Sequence, residues 1–158
     1  MTGLTIKGRF DGLDEVQAKI KRLGTDQRQK LNDNIAAALE TGTLERFETQ
    51  KSPEGKPWKP NIRHGRRLYL SGGLYDDVTS QANDRYAEVG VTKIYGAIHQ
   101  VGGTIKAKLA KYLCFKIGKQ WVKKKQVTIT ARPYLGISKN DEAEIGRQIS
   151  KFLSEQLS

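Results

Sequence analysis

The chain has 158 residues, enough to bury one hydrophobic core, and is 37% apolar and 28% charged. That balance excludes disorder by composition, and no apolar run approaches the roughly 18–20 residues that span a bilayer, so no membrane partner is expected. The formal net charge is +11, which points to polyanionic or acidic partners whose attraction weakens with salt.

Met1 to Phe10 holds Lys7 and Arg9 but no apolar stretch, so no secretory signal is expected. Thr5 and Ile6 predict a short opening strand. A first helix follows: Asp11 can cap it, Asp14 and Glu15 suit its N-terminus, and Lys19, Lys21 and Arg22 suit its C-terminus. Leu13, Val16, Ile20 and Leu23 fall on one face, and Gly24 supplies the stop. A second helix is predicted from Thr25 to about Thr49, with Leu31, Ile35, Leu39 and Phe47 as its apolar stripe. Gly42 is its weak point, costing roughly 1 kcal/mol relative to Ala.

Lys51 to Arg67 reads as an extended loop, because Pro53, Pro57 and Pro60 exclude helix and central strand. Leu68 to Asp76 could form a short helix, divided by Gly72-Gly73. Val78 to Asn83 and Tyr86 to Val91 predict a hairpin joined by Asn83-Asp84-Arg85. Ile94 to Gln100 suits a short helix ended by Gly102-Gly103. Leu113, Phe115 and Ile117 then alternate, Gly118-Lys119 can make a two-residue turn, and Trp121 to Thr130 reads as the return strand. The last helix, about Asp141 to Leu157, has Ser138 or Asn140 as cap and an apolar face of Ile145, Ile149, Phe152, Leu153 and Leu157. Without repeats or a linker, residues 1–158 read as a single domain. The expected class is α+β, an antiparallel sheet of hairpins packed with the N-terminal helices and the C-terminal amphipathic helix.

The charge is unevenly placed. Between Val89 and Asn140 there is no Asp or Glu, yet there are eleven Lys and Arg residues. Removing those eleven from the 28 basic residues leaves 17, the number of acids in the chain. The whole excess therefore lies in one third of the sequence. Two readings are open and compatible: a solvated hairpin whose lysines guard a sheet edge, or a surface for a polyanion. Lys116, Lys119, Lys123, Lys124 and Lys125, with Arg63, Arg66 and Arg67, are the candidates for contact with DNA or with a neighbouring protein. Trp121 or Tyr112 is available to stack on bases. No helix-turn-helix, zinc finger or RNA-recognition signature accompanies them, so contact with nucleic acid would be backbone-directed.

Catalytic signals are sparse. His99 has no acid nearby in sequence and is expected to be structural, bonding backbone groups through its ring nitrogens. His64 lies in the basic run Arg63-His64-Gly65-Arg66-Arg67 and is expected to be solvated or a partner contact. The pairs Asp76-Asp77 and Asp141-Glu142 read as a turn and a helix N-terminus. Two isolated histidines and one cysteine give no metal pattern, and no phosphate-loop motif occurs, so no cofactor is expected. Cys114, the single cysteine, excludes an intrachain disulfide, fits assembly in a reducing cytoplasm, and is expected to be a buried, inert thiol.

Four short pieces stand in order: Pro53-Glu54-Gly55-Lys56-Pro57-Trp58, Leu70-Ser71-Gly72-Gly73-Leu74, Tyr95 to Gly103, and Ala131-Arg132-Pro133-Tyr134-Leu135-Gly136. With Arg46-Phe47 before them, they resemble the phage virion morphogenesis family of tail-completion and head–tail joining proteins, from about Leu44 to the C-terminus. The matching motif residues are Pro53, Gly55, Trp58, Tyr95, His99, Gln100, Gly102, Gly103, Arg132 and Pro133. The resemblance implies a structural virion protein without catalysis, assembled in the host cytoplasm and placed at the head–tail junction or tail end. It would form a homo-oligomeric ring, a hexamer, touching other neck, connector and tail proteins and packaged DNA. Non-specific nucleic-acid binding is the alternative function. Trp58 reads either as a local loop anchor or as an intersubunit contact.

Overall fold

The computed structural model describes residues 4–6, 14–60, 68, 73–117 and 119–156. Four helices and seven strands occur among them, in the order β1 (Leu4–Ile6), α1 (Asp14–Lys21), α2 (Thr25–Thr49), β2 (Thr79–Ala82), β3 (Ala87–Val91), α3 (Gly96–Val101), β4 (Gly103–Lys106), β5 (Leu113–Ile117), β6 (Gln120–Lys124), β7 (Gln126–Ile129) and α4 (Lys139–Gln156). The class is α+β with antiparallel strands, as expected. The strands form three small sheets rather than one: β1-β3-β2, β4-β7 and β5-β6.

Gly24 ends the first helical segment and also caps α2, where the Gln27 side-chain oxygen accepts its N–H at 3.0 Å. Helix α2 runs unbroken through Gly42 to Gln50, whose left-handed backbone (φ 58°) ends it. It packs on α4, β2 and β3 and buries Leu31, Ala36, Leu39, Thr43, Arg46 and Phe47. Gly42 has a tertiary purpose that outweighs its propensity cost. A Cβ there would overlap the Asp141 carboxylate, so glycine lets α4 approach α2 closely. Ser138 and Asp141 cap α4 reciprocally: the Asp141 N–H donates to Ser138 Oγ at 3.2 Å and the Ser138 N–H donates to Asp141 Oδ2 at 2.7 Å. Ile145 and Phe152 are buried from α4.

The core gathers Leu39, Phe47, Trp58, Leu74, Val78, Val89, Val91, Tyr134, Leu135 and Ile145. Phe47 is its centre, with ring centroids of Trp58, Tyr75 and Tyr134 at 5.7, 5.8 and 5.4 Å. No helix among the described residues is long and apolar enough to cross a membrane.

Several expectations are corrected. Residues 73–77 form turns, not a helix; the Asp77 carboxylate accepts the N–H groups of Thr92 and Lys93, both at 2.7 Å, so its role is to tie that turn to the end of β3. The segment after α2 is compact, not extended. Ser52 N–H donates to the Lys56 carbonyl and Trp58 N–H to the Gln50 carbonyl, each at 2.8 Å, and Gly55 sits at the tip. The predicted single return strand Trp121 to Thr130 divides at Lys125. Its first half, β6, pairs with β5 and its second half, β7, with β4, a strand missed in the sequence. The Asp11 cap, Leu13, residues 69–72 with Gly72 among them, Gly118 and Leu157 lie outside the described residues.

Candidate functional site: a basic β-arm on a motif-built base

Strands β4 to β7 make one nested hairpin. β4 and β7 pair at its base from Gly103↔Ile129 to Lys106↔Gln126, and β5 and β6 pair beyond them from Leu113↔Lys124 to Ile117↔Gln120. Residues 107–112 on one strand lie opposite Lys125 alone on the other, joined by an N–H···O bond from Ala107 to Lys125 of 3.1 Å. Unequal insertion of this kind bends a ribbon. Across Lys125 the half-buried positions switch from Val122 to Val127 and Ile129, so even-numbered residues give way to odd. None of these strands contributes to the core cluster.

The arm is where the charge goes. Lys106, Lys108, Lys111, Lys116, Lys119, Lys123, Lys124 and Lys125 are all exposed. Trp121 is 69% exposed, with the Lys116 ammonium 5.3 Å from its ring centroid. Tyr112 and Leu109 are exposed on the connecting loop. Lys106, Lys108 and Lys111 are exposed on the same arm, although the candidates named for it from the sequence began at Lys116. The acid-free run before Leu113 was the available signal. Cys114 is exposed on β5, against the expectation of a buried thiol, because its alternation places it opposite Lys123 and not with Phe115.

The motif residues do something different: they fasten the base. Gln100 is buried on α3. Its Oε1 accepts the N–H groups of Tyr134 and Leu135, both at 3.0 Å, while its Nε2 donates to the Leu135 carbonyl at 2.8 Å. A glutamine suits this because one amide side chain reproduces the donor and acceptors of a paired strand. Arg132 donates to the carbonyls of Lys59 and Pro60, each at 3.1 Å, and its N–H donates to the His99 carbonyl at 2.7 Å. Trp58 donates from Nε1 to the Pro133 carbonyl at 2.9 Å and is 4% exposed. The contacts it makes within the chain are those of the loop anchor, the first of its two readings. Gly102 has φ 73°, and a Cβ there would lie 2.8 Å from the Ala131 nitrogen. Only glycine lets the start of the arm pass its end. Pro53 packs against Gly136. Gly103 opens β4, Tyr95 precedes α3, and Pro133 supplies the acceptor for Trp58.

Beneath the base, Arg46 forms a buried ion pair with Asp141, the two side chains 6% and 5% exposed. Arg46 also donates to the Tyr134 carbonyl at 3.0 Å and to Thr43 Oγ1 at 3.2 Å. The sequence reading had Asp141 only as a helix N-terminal acid. Its pairing with a residue 95 positions away has no local signal.

His99 departs from expectation. Its Nδ1 is buried and has no hydrogen-bond partner, and the Tyr95 ring stands edge-on at 6.1 Å. Burial lowers its pKa from the ordinary value, and the Arg132 charge lowers it further. The unfolded chain therefore takes up this proton near pH 6.5, before the folded chain does. The stability that depends on neutral His99 is complete above about pH 6.5 and is lost as pH falls through the depressed native value. Urea midpoints should thus drop between about pH 7 and 5, above the carboxylate range, and His99→Gln should flatten that segment. Equal slopes for both proteins would remove His99 as the cause.

Arg63, His64, Arg66 and Arg67 lie outside the described residues, so their relation to the arm is not part of this geometry. Among the described residues, no group of three or more His, Cys, Asp or Glu is placed to hold a metal ion.

The described residues thus place a basic, exposed β-arm on a base fastened by the motif residues. The chain belongs to the phage virion morphogenesis family, whose model matches residues 9–154. The match begins well before Leu44, so the N-terminal third belongs to the family pattern as well, which the motifs alone did not show. The chain is 31% identical over 149 residues to Mu-like prophage FluMu G protein 2 of Haemophilus influenzae, covering 93% of this chain and 95% of that protein. It is likewise 31% identical over 156 residues to protein G of Escherichia phage Mu, whose name refers to capsid assembly, covering 90% of each chain. FluMu G protein 1 of the same Haemophilus strain is 26% identical over 165 residues, covering 95% of this chain and 96% of that one. No solved structure matches the chain.

Proposed function

We propose that this virion morphogenesis protein acts in tail completion and head–tail joining. In this reading it is a homo-oligomeric ring, a hexamer in the particle, at the neck or tail end, and it touches other neck, connector and tail proteins. Family membership supports a role in building the virion. The observation that carries the finer reading is the arm: a two-stranded ribbon outside the core is marginally stable alone, and an assembled neighbour would complete it. An arm reaching from one subunit to a different surface of the next is a heterologous contact, the kind that closes into rings. The motif residues are engaged in fastening backbone, which favours a structural role without turnover.

The test is compositional. In a phage lysate the protein should co-purify with mature particles and be missing from isolated heads, and the assembled form should have the mass of a ring. Presence in isolated heads, or a hydrolase activity abolished by His99→Gln, would overturn the reading. The alternative, non-specific nucleic-acid binding, draws on the exposed lysines and is a property of the arm rather than a competing fold-level function.

A further inference from the structure

The β5–β6 ribbon has two chemically different faces. Its register sets Cys114 opposite Lys123 and Lys116 opposite Trp121, and all four are exposed. Leu113, Phe115, Ile117 and Val122 occupy the alternate positions and are half-buried. Lys124 pairs with Leu113 and so belongs to that second side. The run Lys123-Lys124-Lys125 is therefore not one patch: its members lie on one face, on the other, and at the bend.

We propose that the face carrying Lys116, Trp121 and Lys123 binds the phosphate backbone of duplex DNA without sequence preference. This names a partner within the virion-assembly reading and rests on that reading for its setting. Three observations carry it. No Asp or Glu lies between Val89 and Asn140, so the sequence of the arm carries no carboxylate of its own. The indole is held at the surface beneath an ammonium group, with Lys116 opposite it and Lys123 two positions along on the same face. Lysine is depleted in protein–protein contacts, so its density on this face suits a polyanion better than a protein surface. A two-stranded ribbon is also of a width that a duplex major groove admits. Lysine offers charge without the planar, bidentate donors that read bases, hence the lack of sequence preference.

The test titrates the purified full chain with a labelled random-sequence duplex at several salt concentrations. Binding should weaken linearly in log–log form as salt rises. Lys123→Gln should lower the slope by about 1, the loss of one phosphate contact, and Lys116→Gln with Lys123→Gln by about 2. Lys124→Gln removes the same charge from the opposite side and should leave affinity within about twofold, because only a screened, longer-range term is lost. Trp121→Ala should weaken binding several-fold. Exposed lysines contribute little to stability, so circular dichroism melts should be unchanged in the lysine variants, which carry the test even if Trp121→Ala folds poorly. Equal effects of Lys123→Gln and Lys124→Gln would overturn the proposal in favour of an undirected solvated charge. Absence of binding at low salt would also overturn it, as would loss of self-association in Trp121→Ala with DNA binding intact, which would make the face a protein contact. Duplex binding by the purified subunit does not depend on where the protein sits in a particle, so this result and the particle-composition test can fail separately.

Discussion

Replacing Arg46 by Met is expected to cost about 3–5 kcal/mol of folding stability. Arg46 and Asp141 are both almost fully buried, and the guanidinium also satisfies the Tyr134 carbonyl and Thr43 Oγ1. Methionine keeps the stem volume but leaves the Asp141 carboxylate in a poorly hydrated site with only the Ser138 N–H as a partner of comparable quality. Removing one member of a buried pair costs far more than the pair contributes, because the remaining charge has lost its solvent and its counterion. Asp141→Asn keeps an acceptor for the Ser138 cap while discarding the charge. The double variant Arg46→Met with Asp141→Asn should therefore be more stable than Arg46→Met alone. Urea denaturation of the three proteins decides this. A loss below about 1 kcal/mol in Arg46→Met would mean that water reaches the pair and that it behaves as a surface bridge.

Phe47→Ala is the second large effect, about 3–5 kcal/mol as for other buried phenylalanines. The ring is fully buried and touches three aromatic partners, two of them edge-on at interplanar angles of 84° and 87°. Such pairs contribute roughly 0.5–1.5 kcal/mol beyond area burial, so the loss should lie toward the upper end of the range. Its consequence reaches the arm. Phe47 supports Trp58 and Tyr134, and Trp58 in turn holds the Pro133 carbonyl at the foot of the arm. The variant should lose near-ultraviolet circular dichroism from Trp58 before its far-ultraviolet signal melts. Simultaneous loss of both signals at an unchanged midpoint would show that the site refills and that the cluster is not rigid.

The two long helices were legible because their information is local. Leu31, Leu39 and Phe47 recur at helical spacing and are buried, and Ile145 and Phe152 do the same in α4. The hairpin of β2 and β3 was legible from its Asn83 turn, where Asn83 Oδ1 accepts the N–H groups of Arg85 and Tyr86 at 2.8 and 3.1 Å. Charge placement was legible too, because an acid-free run of eleven bases is a property of sequence alone.

Tertiary structure decided what depends on distant partners. Strand β4 is short and exposed, so nothing local distinguishes it from loop until β7 pairs with it. The division of Trp121 to Thr130 is set by the unequal 107–112 insertion opposite Lys125, which is visible only once both strands are aligned. The roles of Gln100, Arg132 and Trp58 are hydrogen bonds to backbone more than 30 residues away, and composition carries no trace of them. Gly42 shows the contrast within one residue. By itself the sequence determines a helix with a weak point, because propensity is local; the fold alone determines why the weakness persists, because the Asp141 carboxylate occupies the space a side chain would need.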